Sequence, residues 1–285
     1  MPLLKKALQL SLAGLSTLLP SCLSTRSGTL SDRPPVKSAK VKYDLKKDVI
    51  FTPADWPKAL PADIYEPTTS GKRPAILLIH GGGWTGGDKR SQMNGLAEKL
   101  ASRGYVVMNT TYRTTPENQW PTQIEDVRLA LRWLQKNAPS LRVDPEKIGA
   151  MGYSAGAHLA AILGSTNPDI EAMVLGGLPS DLMLFNDGKL VRMLTGGTKA
   201  EKPQVHRDAS PVNFVTKDTP PVFLYHGRWD KLVPPNQAEA YLAALQKNNV
   251  PYEMTWLKGR AHITTFLFSG STVDRGIDFF DRILR

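Results

Sequence analysis

From Val41 onward, apolar β-prone runs alternate with helical patterns, and this alternation restricts the fold more than any other feature of the chain. AILLIH (75–80), YVVMNTTY (105–112), KIGAMGY (147–153), AMVLGG (172–177), PVFLYH (221–226) and YEMTWL (252–257) read as strands. LAEKLASRG, IEDVRLALRWLQKNA, SAGAHLAAILG, QAEAYLAALQKNN and STVDRGIDFFDRIL read as helices, with apolar residues three and four apart at Val127, Leu131 and Leu134. Strands separated by helices need crossover connections, so the sheet is expected to be mainly parallel, with helices on both faces. VKYDLKKDVIFT and LPADIYEP ahead of them predict an antiparallel pair that opens the sheet. The composition does not change after residue 41 and no repeat occurs, which predicts one α/β domain over residues 41–285. Residues 180–215 carry no clear strand and read as a helical insertion over the carboxyl edge of the sheet.

The N-terminus differs from the rest. Lys5 and Lys6 precede ALQLSLAGLSTLLPSC, an uncharged and mostly apolar run too short for a comfortable span, which predicts a signal peptide over residues 1–22. The single cysteine, Cys22, closes Leu19-Pro20-Ser21-Cys22, which resembles the lipidation box of bacterial lipoproteins, with Pro20 where a small residue is usual. Lipidation at Cys22 is therefore expected, with a plain cleaved signal as the alternative. The protein is expected to be exported, either periplasmic or tethered to a bacterial membrane. Residues 23–40, with Ser, Thr, Arg, Lys and the pair Pro34-Pro35, read as a flexible linker. One cysteine allows no intramolecular disulfide, so the fold rests on its core. The net charge of +10 comes from Lys and Arg spread along the chain among acids, which reads as a solvated basic surface and not as a nucleic-acid site.

In an open parallel sheet, ligands bind outside the carboxyl ends of the strands, so the residues that follow each strand are the candidates for chemistry. His80-Gly81-Gly82-Gly83-Trp84 follows AILLI, Ser154 follows KIGAMGY, Asp230 follows PVFLYHG, and His262 follows YEMTWLKGRA. Ser154 stands in Gly152-Tyr-Ser-Ala-Gly156, the spacing of a sharp strand-to-helix turn where missing Cβ atoms let a hydroxyl project. A neutral hydroxyl needs a base, and the base needs an orienting acid; His262 and Asp230 are expected in those roles. The backbone N–H groups of Gly82, Gly83 and Ala155 are the expected oxyanion donors. Trp84 and Trp229 flank these positions and are expected to touch substrate. Asp181 is the rival acid. His226, at a strand end, is expected to make a structural hydrogen bond, and His158, inside the nucleophile helix, is expected to pack.

HGGGWTGGDK (80–89), GYSAGAHLA (152–160), HGRWDKLVP (226–234) and GRAH (259–262) together resemble the α/β-hydrolase superfamily. Within it, the chain resembles esterases related to hormone-sensitive lipase and bacterial feruloyl and acetyl-xylan esterases. The resemblance covers nearly everything from about residue 59 onward. It implies the α/β-hydrolase fold with an eight-stranded sheet, a cofactor-free and metal-free acyl-enzyme mechanism, and small-molecule or polysaccharide esters as substrates. Two other readings stay open: a serine peptidase related to prolyl oligopeptidase, and a silent hydrolase fold used for binding. Residues 181–215 mix Leu182, Met183, Leu184 and Phe185 with many charges and offer no long apolar lid, so acetyl or other short acyl groups are expected, with carbohydrate as the alcohol.

Overall fold

The computed structural model describes residues 24–30 and 39–285. The expected signal peptide and Cys22 lie outside these residues, as does half of the expected linker.

Among the described residues, nine strands form one sheet: β1 (Ser24–Gly28), β2 (Tyr43–Ile50), β3 (Pro61–Pro67), β4 (Arg73–Ile79), β5 (Val106–Thr110), β6 (Val143–Tyr153), β7 (Ala172–Gly176), β8 (Val222–Gly227) and β9 (Tyr252–Leu257). Their order is β1-β9-β8-β7-β6-β4-β5-β3-β2. Every pairing among β4, β5, β6, β7, β8 and β9 is parallel, whereas β2 and β3 form the expected antiparallel pair at one edge. Among the described residues, the α-helices of six residues or more are α1 (Asn94–Ser102), α2 (Thr122–Lys136), α3 (Ala155–Thr166), α4 (Lys189–Thr195), α5 (Pro203–Asp208), α6 (Pro235–Lys247), α7 (His262–Leu267) and α8 (Thr272–Leu284).

Alternation of side chains along a strand explains why these strands are apolar throughout. Ala75, Leu77 and Ile79 of β4 enter a core shared with Val127, Leu131 and Leu134 of α2, Leu159 and Ile162 of α3, and Tyr241 and Leu245 of α6. Ile76 and Leu78 point the other way, into a core with Leu100 of α1 and Ile277, Phe280 and Leu284 of α8. The helices thus cover both faces, as the strand pattern required.

Two expectations are corrected. Eight strands are present as β2 to β9, but a ninth, β1, joins the far edge. The sequence reads these residues as part of a flexible linker, yet Ser24–Gly28 pair antiparallel with Leu257–Glu253 of β9. The pairing needs only backbone N–H and C=O groups, which an unpaired strand edge supplies to any extended segment whatever its side chains. The 180–215 insertion is helical as expected, and carries α4 and α5.

Candidate active site

The turn between β6 and α3 places Ser154. Its backbone lies at φ 55°, ψ −122°, a conformation that L residues rarely adopt and that persists only when the surroundings enforce it. They do so by crowding: a Cβ on Gly156 would sit closer than 3.0 Å to the carbonyl oxygens of Ile79 and His80, and one on Gly152 would meet the Gly156 backbone equally closely. Strand β4, strand β6 and helix α3 approach so tightly that only glycine fits at both positions. The Ser154 N–H donates to the Gly176 carbonyl of β7 at 2.8 Å, which fixes the turn from the other side.

After β9, His262 opens α7, and after β8, Asp230 lies in a tight loop. The His262 Nδ1–H donates to Asp230 Oδ2 at 2.6 Å, and both side chains are buried. The other carboxylate oxygen, Oδ1, accepts the N–H groups of Leu232 at 3.0 Å and Val233 at 2.8 Å. The Tyr153 hydroxyl donates to the His262 carbonyl at 2.6 Å, so the residue before the nucleophile anchors the residue that bears the imidazole. His226 makes its structural bond, Nε2–H to the Val233 carbonyl at 2.8 Å, with Asp230 Oδ2 at 3.6 Å from the same nitrogen. Burial lowers the pKa of His226, which keeps it neutral. Asp181 is engaged elsewhere, accepting the Met183 N–H at 2.9 Å.

The loop after β4 supplies Gly82 and Gly83, both at positive φ (105° and 64°), where side chains are strained. Among the described residues, no backbone hydrogen bond uses the N–H of Gly82, Gly83 or Ala155. Ala155 is the first residue of α3, where an N–H has no partner within the helix. The Gly82 carbonyl accepts from Lys89 Nζ at 3.3 Å and from the Thr85 N–H at 3.2 Å. In a trans peptide the C=O and N–H point in opposite directions, so Lys89 turns the Gly83 N–H away from itself. Arg90 secures the base of this loop, with bonds of 2.8 Å to Asp48, Asp63 and Asp88 that join it to β2 and β3. His80 is buried under stacked Tyr112, and burial pushes its pKa down to about 4.

These elements converge on a cavity of about 500 Å³ lined by Ser154 and His262, Gly81–Trp84, and a mostly aliphatic wall of Leu190, Val191, Leu232, Val233, Ile263 and Phe266. Trp84 lines the cavity, and its indole N–H donates to His158 Nδ1 at 3.3 Å. His158 packs as expected: it donates from Nε2 to the Ala209 carbonyl at 2.6 Å, and burial pushes its pKa down to about 4. Trp229 does not line the cavity. It is 69% exposed on the surface, because the loop that buries Asp230 turns its predecessor outward. Sequence reasoning missed Lys89, Tyr153 and the aliphatic wall. The first two stand inside the quoted motifs, while Leu190 and Val191 lie on α4, in a segment without a recognisable pattern. Among the described residues, no group of His, Cys, Asp or Glu is placed to hold a metal ion.

Residues 62–245 match the family model described as BD-FAE. The chain is 30% identical over 243 residues to a probable carboxylic ester hydrolase, LipM, of Mycobacterium tuberculosis, covering 77% of this chain and 56% of that protein. It is also 30% identical over 203 residues to the esterase LipC of that organism, covering 63% of this chain and 50% of that protein. The chain thus spans about half the length of the curated relatives it matches. A truncated carbohydrate esterase from gut microbiota superposes with a TM-score of 0.76 at 23% identity, over 88% of this chain and 99% of that one, which shows the fold. An esterase of Thermogutta terrifontis, with butyrate bound, superposes with a TM-score of 0.69 at 25% identity, over 85% and 94% of the two chains. The family match covers most of the two-sided sheet and the elbow that holds Ser154, and on that ground the chain belongs to the BD-FAE family and has the α/β-hydrolase fold.

Proposed function

We propose that the protein is a serine carboxylesterase in which Ser154 is the nucleophile, His262 the general base and Asp230 the acid that orients it. One observation carries the reading: a buried imidazole held by a carboxylate at 2.6 Å opens on the same cavity as a serine fixed on a strained elbow. In this mechanism the Ser154 hydroxyl attacks the ester carbonyl while His262 Nε2 takes its proton. The oxyanion accepts the N–H groups of Gly82, Gly83 and Ala155, each such donor stabilising the transition state by roughly 3 kcal/mol. His262 then returns the proton to the leaving alcohol, and water releases the acid from the acyl-enzyme by the same route.

The acyl group is the part that the cavity addresses. Its apolar wall and volume of about 500 Å³ suit acetyl to medium-length acyl chains or an aryl acyl group such as feruloyl. The Thermogutta terrifontis esterase binds propionate and butyrate, which agrees with short chains. Carbohydrate as the alcohol has less support, since Trp229 lies outside the cavity. Export, with lipidation at Cys22, completes the proposal and rests on the N-terminal sequence.

Ser154→Ala should abolish hydrolysis of p-nitrophenyl esters and labelling by a fluorophosphonate probe; labelling at the wild-type level would overturn the nucleophile. A kcat/KM series from acetate through butyrate and octanoate to palmitate should fall at the long end, and a steady rise to palmitate would refute the short-acyl reading. Turnover of dipeptide amides in preference to esters would favour the peptidase reading.

A further inference from the structure

Of the eight exposed large apolar side chains among the described residues, five gather beside the cavity, whereas Leu45 and Ile50 lie on β2 at the other edge of the sheet. Trp229 (69% exposed) and Leu232 (50%) follow β8, and Ile263 (60%), Leu267 (60%) and Phe268 (57%) follow β9. The two loops are one surface: the Arg228 N–H donates to the Leu257 carbonyl at 2.9 Å, the Trp229 N–H donates to the Arg260 carbonyl at 3.0 Å, and Leu232 and Ile263 both line the cavity mouth. Leu184 and Lys189 are exposed at the insertion, which forms the opposite wall of the cavity.

Cations are set among these side chains. Arg228, Lys231 and Lys258 are exposed, and Arg260 lies beside Phe268, its guanidinium 5.8 Å from the ring centre. Among the described residues, neither Lys231 nor Lys258 forms an ion pair, and no acidic residue occurs between Leu257 and Val273. Asp230 is buried under His262, and Glu239 is already paired with Arg228 at 3.2 Å. The rim is therefore apolar and positively charged together.

The register of β1 adds an independent observation. Ser24 pairs with Leu257 and Gly28 with Glu253, so β1 starts at the carboxyl end of β9, beside this rim. Ser24, where the described residues begin, thus lies at the cavity face and not at the amino ends of the strands.

We propose that this rim docks on the surface of an anionic phospholipid bilayer, with the cavity mouth turned toward it. Interleaved cations and apolar side chains, tryptophan included, suit the headgroup boundary, where charge meets anionic lipid and apolar tips enter the acyl region. A second copy of the chain fits this rim poorly, because face-to-face packing would bring like charges together. The contact is peripheral, since no helix among the described residues is long and apolar enough to cross a membrane. The docking does not depend on the proposed ester chemistry, and its test reads binding.

The full chain carrying Cys22→Ala, which excludes lipidation there, is mixed with vesicles of phosphatidylcholine containing phosphatidylglycerol, or of phosphatidylcholine alone. The expected result is cosedimentation with the anionic vesicles that falls with added salt. The double variants Leu267→Ser/Phe268→Ser and Lys231→Glu/Lys258→Glu should each weaken binding by about tenfold or more, while kcat/KM on soluble p-nitrophenyl butyrate stays unchanged. Vesicles should also protect residues 228–232 and 258–268 from hydrogen exchange. The proposal is overturned if both double variants bind as the parent does, if neutral vesicles bind equally well, or if protection falls at the amino ends of the strands around Lys72, Arg73 and Lys147. It is equally overturned if the rim mediates a dimer that both double variants abolish and no vesicle binding accompanies it.

Discussion

Replacing Asp230 by asparagine tests the assignment of the acid at the level of single hydrogen bonds. Oδ1 accepts two backbone N–H groups, from Leu232 at 3.0 Å and Val233 at 2.8 Å, and these can only donate. An asparagine side chain must therefore put its oxygen at the Oδ1 position and its NH2 at the Oδ2 position. The reverse orientation would leave two buried N–H donors facing an NH2, at about 1–3 kcal/mol each. His226 does not force the reverse, because its Nε2–H is already bonded to the Val233 carbonyl at 2.8 Å. The NH2 then donates to His262 Nδ1, which must present its lone pair, so the imidazole proton moves to Nε2. That nitrogen can no longer accept the serine proton. The expected loss in kcat is about 10⁴-fold, equivalent to about 5 kcal/mol of transition-state stabilisation. Steady-state hydrolysis of p-nitrophenyl acetate measures it, with the thermal midpoint as the control for folding. A folded Asp230→Asn variant within about tenfold of wild type would refute the tautomer argument, and a larger loss from Asp181→Asn would identify the wrong acid.

Gly156→Ala should displace the elbow, since the added Cβ would come closer than 3.0 Å to the Ile79 and His80 carbonyl oxygens; kcat should fall by about 10² with a measurable drop in denaturation midpoint, and unchanged kcat would show that Ser154 is not held by this contact. Lys89→Met releases the Gly82 carbonyl and with it the orientation of the Gly83 N–H. About a tenfold fall in kcat with KM little altered is expected, whereas a change in KM alone would mean that Lys89 binds substrate. Folding stability should depend on pH through His80 and His158, whose pKa values burial pushes down to about 4. The unfolded chain takes up these protons near pH 6.5 while the folded chain does not until about pH 4, so stability is fully present above about 6.5 and falls as pH drops through that window, by up to about 3 kcal/mol per histidine. Urea unfolding at pH 7, 6 and 5 checks the slope, and a flat profile would show that these imidazoles are protonated in the fold.

Much of this protein follows from local sequence alone. The alternation of strand and helix patterns determines a parallel sheet covered on both faces, because period-2 and period-3.6 apolar spacing admit few other packings. The elbow around Ser154 is equally legible, since the glycines at 152 and 156 are required by contacts within a few residues and with the neighbouring strand. His262 and Asp230 follow from their positions after strands. Beyond this the tertiary structure decides. Ser24–Gly28 carry no strand pattern and become β1 only because β9 offers an open edge. Trp84 faces the cavity and Trp229 faces solvent, although both adjoin motif residues, because the turn geometry of each loop sets the direction of its indole. Asp181 caps a short helical turn while Asp230 meets His262, a choice made by the distance between loops that are adjacent in space and not in sequence. Lys89 reaches Gly82, and Leu190 reaches the cavity, through contacts between segments far apart in the chain, where composition and periodicity carry no information about which side chains meet.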